Sequence, residues 1–378
     1  MPTVLQVLPS LAGGGGVERG TLDISRALAA AGWRSLIVTG EEADREEAEA
    51  AGARHAVLPV ARRNPVQAPV AIQRIARLIG EEDADLVHAR SRWPAWLAYH
   101  AARRARRPFV TTFHGAYSTG WPGKRHYNAI MTRGARVIAI SAFIARHIAE
   151  TYGVEPGRIR TIPRGVDLSV FDPARVGPER IAALRDAWGV PDGQPVVVLP
   201  GRMTALKGHL ALLDALAEVG ERVCCLLVGA ADPAHAGYRA RIERRIAALG
   251  PKHSIRLTGL CRDMPAAYML ADIVVSPSLR PEAFGRVPAE AQAMGRRVIA
   301  SAHGGARETV IHGETGWLVP PGDAAALADA IRQALRASAS QRERMAAAGQ
   351  AHVRANFTLE GMCRATLDVY RELLPGSS

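Results

Sequence analysis

Lysine is nearly missing from this 378-residue chain: Lys124, Lys207 and Lys252 are the only three. Arginine carries the basic character, with 48 Lys+Arg against 36 Asp+Glu and a formal charge of +12. Alongside the excess of alanine, that preference fits a GC-rich genome, so codon bias is one source of the charge. Recruitment by an anionic membrane surface or an anionic acceptor is the other. The surplus is uneven: residues 51–150 hold 16 Lys/Arg and 5 Asp/Glu. No apolar run is long enough to cross a bilayer. The opening "MPTVLQVLPSLAGGGG" lacks a basic n-region, so no signal peptide is expected. The four cysteines have neither metal-ligand nor disulfide-framework spacing, which predicts a reduced, cytoplasmic protein, at most peripheral on the inner face of the cytoplasmic membrane. Cys224 and Cys225, inside "RVCCLLVGA", read as core. Recognised nucleic-acid motifs and aromatic–basic interleaving are absent, which excludes nucleic acid as the expected partner. His126, His147, His209, His303 and His312 show no ligand spacing, so no metal is assigned to them.

What is present is alternation. Thirteen short apolar runs, from "TVLQVLP" to "TGWLVPP", are separated by helix-length amphipathic segments. Continuous apolar runs between helices imply strands covered on both faces, and therefore parallel sheets. The stretch "DLSVFDPARVGPERIAALRDAWGVPDGQ" is rich in Pro, Gly and charge and reads as a connection. The expected architecture is α/β, with two Rossmann-like domains: an N-terminal one over 1–175 and a C-terminal one over 190–357. A final helix, about 358–378, is expected to pack back on the first. In such sheets ligands bind beyond the carboxyl ends of the strands.

Three segments at those ends carry chemistry. "LPSLAGGGGVERG" lets backbone approach a bulky group at a helix N-terminus, where free N–H groups favour an anion. A tight strand–helix turn is the bland alternative. The dinucleotide fingerprint fails there, which disfavours NAD. "LPGRMTALKGH" places Arg202 and Lys207 where two cations would grip a diphosphate, although it is not a P-loop. In "SPSLRPEAFGRVPAEAQAMG", Pro288 belongs in a first helical turn, so a helix begins near Gly285. The N–H groups of Phe284, Gly285, Arg286 and Val287 are then unpaired. Glu282 precedes that end, and Glu290 lies about 6 Å beyond Arg286 along the axis. A phosphate between them leaves one carboxylate for hydroxyls on each side, which describes a sugar–diphosphate–nucleoside.

The Glu-x₇-Glu of "PEAFGRVPAE", continued by "AQAMGRRVIASAHGGARETVIHGETGWLVPPGD", resembles the donor-binding region of family 4 retaining glycosyltransferases, which have the GT-B fold. The likeness extends to "GGVE", "FHG", "VIAIS", "IPRGVD" and "GRMTALKG", in order along nearly the whole chain. Many members have asparagine where Arg164 stands; that form, with "VHARSRWPAW" and "TTFHGAYS", resembles the bacterial lipopolysaccharide and cell-surface glycan branch. The resemblance implies sheets facing across a cleft and a nucleoside diphosphate sugar as donor. It also implies a glycan or glycolipid acceptor, front-face attack with retention, and no cofactor or metal. By it Arg202 and Lys207 would hold the diphosphate, Glu290 the ribose and Glu282 the donor sugar. Gly15 and Gly16 would let the first domain close, and His114 would sit beside the sugar. Asp83–Asp85, "DAD", matches the metal triplet of the other glycosyltransferase fold, but it precedes a strand and reads as a solvated loop. A sugar-nucleotide epimerase or hydrolase of the same fold, and a non-catalytic binding subunit, are the alternatives.

Overall fold

The computed structural model describes residues 1–12, 15–118, 120, 123–230 and 236–374. Gly13 and Gly14 of the four-glycine run and residues 375–378 of the expected final helix lie outside the described residues. The chain forms two compact units, Met1–Gly165 with Leu359–Ser378, and Val166–Thr358.

In the first unit the strands are β1 (Thr3–Val7), β2 (Arg34–Thr39), β3 (Ala53–Val57), β4 (Leu86–Ala89), β5 (Phe109–Phe113), β6 (Arg136–Ala139) and β7 (Ile159–Thr161). They pair in parallel in the order β3-β2-β1-β4-β5-β6-β7. The second unit holds β8 (Val196–Pro200), β9 (Cys224–Val228), β10 (Ser254–Gly259), β11 (Ile273–Ser276), β12 (Arg297–Ser301) and β13 (Trp317–Val319). Their order, β10-β9-β8-β11-β12-β13, is again parallel throughout. Strands β1, β8 and β9 are buried along their whole length, as strands covered by helices on both faces are, and the one amide among them, Gln6 in β1, is bonded to Ser25 and Arg90. Each sheet reverses its strand order once, between β1 and β4 and between β8 and β11. A ligand crevice is expected beyond the strand ends at such a point.

The Pro/Gly-rich connection is built into the second unit. Val166 donates to Phe357 O at 2.8 Å, Phe171 packs on Tyr268, and Arg180 donates to both carboxylate oxygens of Asp263 at 2.9 and 2.7 Å. In the first unit the last helix, Leu359–Leu373, lies against the helix Gly16–Ala30 through Met362, Cys363 and Leu367. Its Tyr370 hydroxyl meets His88 Nδ1 at 2.7 Å, and Glu372 pairs with Arg136 and Arg160, each at 2.8 Å.

Candidate active site

In the second unit, Gly201–Gly208 leaves β8 and enters the helix His209–Glu218. Gly208 has φ +74°, and a Cβ there would lie 1.9 Å from Pro277 O. Leu279 N–H donates to Leu206 O at 2.8 Å, so this loop is bonded to the exit of β11. That brings Lys207 Nζ to Glu282 Oε1 at 2.8 Å, and the buried Ser278 hydroxyl donates to the same oxygen. Glu282 Oε2 accepts from nothing among the described residues. Burial acts to raise the Glu282 carboxyl, but the Lys207 charge and hydrogen bond, Ser278 and His303 together hold it below its ordinary value. His303 borders the same small cavity with both ring nitrogens buried and unpartnered.

The helix Arg286–Ala293 starts after Gly285, whose φ of +90° places it in the left-handed region. Thr309 Oγ1 would lie 2.9 Å from a Cβ at that glycine. The N–H groups of Phe284, Gly285, Arg286 and Val287 donate to no acceptor among the described residues. Gly304 and Gly305 cradle the turn: a Cβ on them would fall 2.4 Å from Glu282 O and 2.3 Å from Phe284 O. Gly305 N–H also donates to Glu282 O at 2.8 Å. Glu290 is buried and already engaged, accepting from Tyr268 Oη at 2.8 Å and Arg286 Nε at 2.7 Å. Burial and the Glu290 carboxylate push the Tyr268 hydroxyl well up, so it stays a donor. Arg202 is exposed and makes no ion pair among the described residues.

In the first unit, Gly15 caps the helix Gly16–Ala30. Arg164 Nη2 donates to Gly16 O and lies 2.8 Å from His114 Nδ1. A guanidinium only donates, so Nδ1 is the acceptor and the proton of His114 sits on Nε2. That Nε2–H is buried and has no partner among the described residues. Burial, then the charges of Arg164, Arg90 and His88, hold the imidazole well below its usual range, hence neutral. Room for the guanidinium comes from Gly20, where a Cβ would lie 2.0 Å from Arg164 Nη1.

The structure thus bonds Lys207 to Glu282 and joins Gly16 to His114 through Arg164, while Glu290 belongs to a separate network. Ser278, His303, Tyr268 and the Gly304–Gly305 pair carry no recognisable motif chemistry of their own. The glycine pair after β12 was the one available signal. Asp83, with φ +46°, binds Arg107 at 2.7 Å, and Asp85 Oδ2 accepts from Thr3 N–H at 2.9 Å, so this triplet braces the start of β4. Among the described residues no three His, Cys, Asp or Glu side chains converge on a metal-sized site. A cavity of about 800 Å³ is bounded by Arg297, Trp317, Arg332 and Arg342, and none of the expected donor residues lines it.

Residues 14–170 match the family described as Glycosyltransferase Family 4, and residues 181–352 match Glycosyl transferases group 1. The chain belongs to the family 4 glycosyltransferases. Its two Rossmann-like units are the GT-B architecture of the solved family structures. A glycosyltransferase from Rickettsia africae ESF-5 is 36% identical, with TM-score 0.92 over 99% of both chains. Anabaena HepE in complex with UDP-glucose is 25% identical, with TM-score 0.86 over 99% of this chain and 100% of that one. Among curated relatives, D-inositol 3-phosphate glycosyltransferase of Xylanimonas cellulosilytica is 36% identical over 60% of this chain and 54% of its own. The GDP-mannose-dependent alpha-(1-6)-phosphatidylinositol monomannoside mannosyltransferase of Mycolicibacterium smegmatis is 31% identical over 70% of each. The match thus spans about half the length of the inositol phosphate enzyme. Among the described residues no helix is long and apolar enough to cross a membrane.

Proposed function

We propose that this glycosyltransferase moves a sugar, with retention, from a nucleoside diphosphate sugar to a hydroxyl of a glycolipid or cell-surface glycan precursor. The observation that carries the reading is the Lys207–Glu282 pair at the switch point of the second sheet, beside the unpaired N–H groups of Phe284–Val287. A departing diphosphate gains negative charge, and Lys207, Arg202 and that helix end stabilise it. Glu282, kept ionised and with Oε2 unoccupied, accepts from donor-sugar hydroxyls. Glu290 reaches the ribose only by sharing oxygens already bonded to Tyr268 and Arg286. His114, neutral, offers its Nε2–H to a substrate hydroxyl. The reading assigns no covalent nucleophile: Glu282 serves the donor sugar's hydroxyls, and both oxygens of Glu290 are bonded to Tyr268 and Arg286. The reading therefore routes the acceptor proton to the leaving phosphate, with no metal.

UDP-glucose is bound by one relative and GDP-mannose is named for another, which supports the donor class rather than one base. Both curated relatives are named for phosphate-bearing inositol substrates, which supports an anionic acceptor and is compatible with a lipopolysaccharide or polysaccharide precursor at the inner membrane face. The test is nucleotide release from UDP-, GDP- and ADP-sugars, with and without a membrane-derived acceptor extract, in EDTA throughout. Release that depends on acceptor and persists in EDTA is expected, with the donor's anomeric configuration kept in the product. Equal release without acceptor would make the chain a hydrolase, and conversion of the donor sugar with no nucleotide release would make it an epimerase. Binding without turnover would make it a binding subunit.

A further inference from the structure

The loop after β3 and the helices Arg92–Arg104 and Lys124–Asn128, which follow β4 and β5, enclose a pocket of about 330 Å³ in the first unit that the donor chemistry leaves unused. Arg63, Trp93, Trp96, His126 and Tyr127 line it. The bonding state of each side chain narrows what it takes. Trp96 donates Nε1–H to Tyr127 O at 3.1 Å, so its polar edge is satisfied and the ring serves as wall. Trp93 differs: its Nε1–H is buried with no acceptor among the described residues, a costly arrangement unless a ligand accepts it. The Arg63 guanidinium lies 4.6 Å over the Tyr127 ring and makes no ion pair among the described residues. Among the described residues no carboxylate lines the pocket.

An aromatic wall, one unanswered donor and one unanswered cation together fit a sugar that carries negative charge. The C–H face of a pyranose packs on an indole ring, a ring hydroxyl accepts from Trp93, and an anionic substituent meets Arg63. The volume is at the small end of ligand pockets, about 300–1,000 Å³, and suits one such unit. Building on the glycosyltransferase reading, we propose that this pocket holds an anionic sugar unit of the acceptor, its charge a carboxylate or a phosphate. A membrane surface is the poorer fit, because Trp93 and Trp96 are partly buried around a concavity rather than projecting from it.

The test titrates the full chain with methyl glucoside, glucuronic acid and glucose 6-phosphate, read by saturation-transfer NMR and calorimetry, with UDP as the control ligand. Both anionic sugars are expected to bind at least about tenfold tighter than the neutral one. Arg63→Ser should reduce them to the neutral level, and Trp93→Phe should weaken all three severalfold. UDP binding should be unchanged in both variants, and their urea unfolding profiles should match the parent's, which shows that the first unit folds as well. Preference for only one of the acids identifies the substituent. Equal binding of neutral and charged sugars, indifference to Arg63→Ser, or no sugar binding by protein that binds UDP would each overturn the proposal. So would binding to anionic vesicles that depends on Arg63 without sugar binding. Failure of the parent to bind UDP counts instead against the donor site.

Discussion

Arg164 is where a single residue decides a chemical state. By donating to His114 Nδ1 it fixes the tautomer and adds to the burial that keeps the ring neutral. The other charged or titratable groups facing the ring, Arg90 and His88, act in the same direction. Replacing Arg164 with Asn removes the nearest positive charge, so the His114 pKa should rise toward about 6.5. If the neutral ring is the working form, the acid limb of the rate–pH profile moves to higher pH in Arg164→Asn, while the parent stays active well below 6.5. Superimposable profiles would remove His114 from the reaction. The departure at Arg164 was legible in "IPRGVD" as a substitution, but its partner was not, because Gly16, His114 and Arg164 lie far apart along the chain. Lys207 and Glu282 were readable one by one from their strand-end positions. Their direct pairing depends on the Leu206–Leu279 bond between two loops, and no local pattern encodes that.

At the scale of elements, the turn Glu282–Gly285 holds its shape because Gly304 and Gly305 press against its backbone. Gly305 has an ordinary φ of −67°, so a side chain there is opposed by contact alone and not by backbone strain. Gly305→Ala should cost about 1–3 kcal/mol of stability by overpacking, measured by denaturant titration, and should weaken donor binding more than Gly237→Ala, where a Cβ meets nothing. Equal effects of the two would show that the turn does not depend on its cradle. The strands were legible because the inner ones are parallel and buried on both faces, as β1, β5, β8, β9 and β12 are, while β3, β7 and β10 keep partly exposed residues. The helix Arg286–Ala293 was legible because Pro288 is tolerated only in a first turn. What sequence could not supply was the inward turn of Glu290: Tyr268, its second partner, sits on a different helix with nothing in its neighbourhood to announce the bond.

For the whole molecule, buried histidines make stability depend on pH. Burial lowers His88 and His114 well below 6.5 and His209 to about 4. Above about 6.5 neither folded nor unfolded chain carries these protons, and the contribution is nil. Below it the unfolded chain takes up protons that the folded chain refuses, so stability falls as pH drops. His209 alone should account for about 2 kcal/mol between pH 6.5 and 5. Urea midpoints across that range should fall steeply, and a flat curve would contradict the neutral, buried assignments. The basic surplus of residues 51–150 is the other whole-molecule property. Arg103, Arg104 and Arg106 are exposed, whereas Arg107 is tied to Asp83 and Asp85. If that surface meets anionic lipid, vesicle binding rises with anionic content and falls with salt, exposed charges being screened over about 10 Å at 0.1 M. The triple change of Arg103, Arg104 and Arg106 to Ser should abolish it and leave donor affinity intact. Equal sedimentation with neutral and anionic vesicles would assign the surplus to composition alone.

The central claim is that Lys207 and Glu282 hold a nucleoside diphosphate sugar, and titration of the best donor from the panel into the parent, Lys207→Ala and Glu282→Gln tests it most directly. Turnover and calorimetric affinity should be read on the same samples. Lys207→Ala should lose about 2–4 kcal/mol of transition-state stabilisation, roughly 30- to 1,000-fold in turnover, with its unfolding midpoint near the parent's. Glu282→Gln should lose affinity for the sugar nucleotide while retaining that for the free nucleoside diphosphate. Parent-like turnover and affinity in both variants would contradict the account.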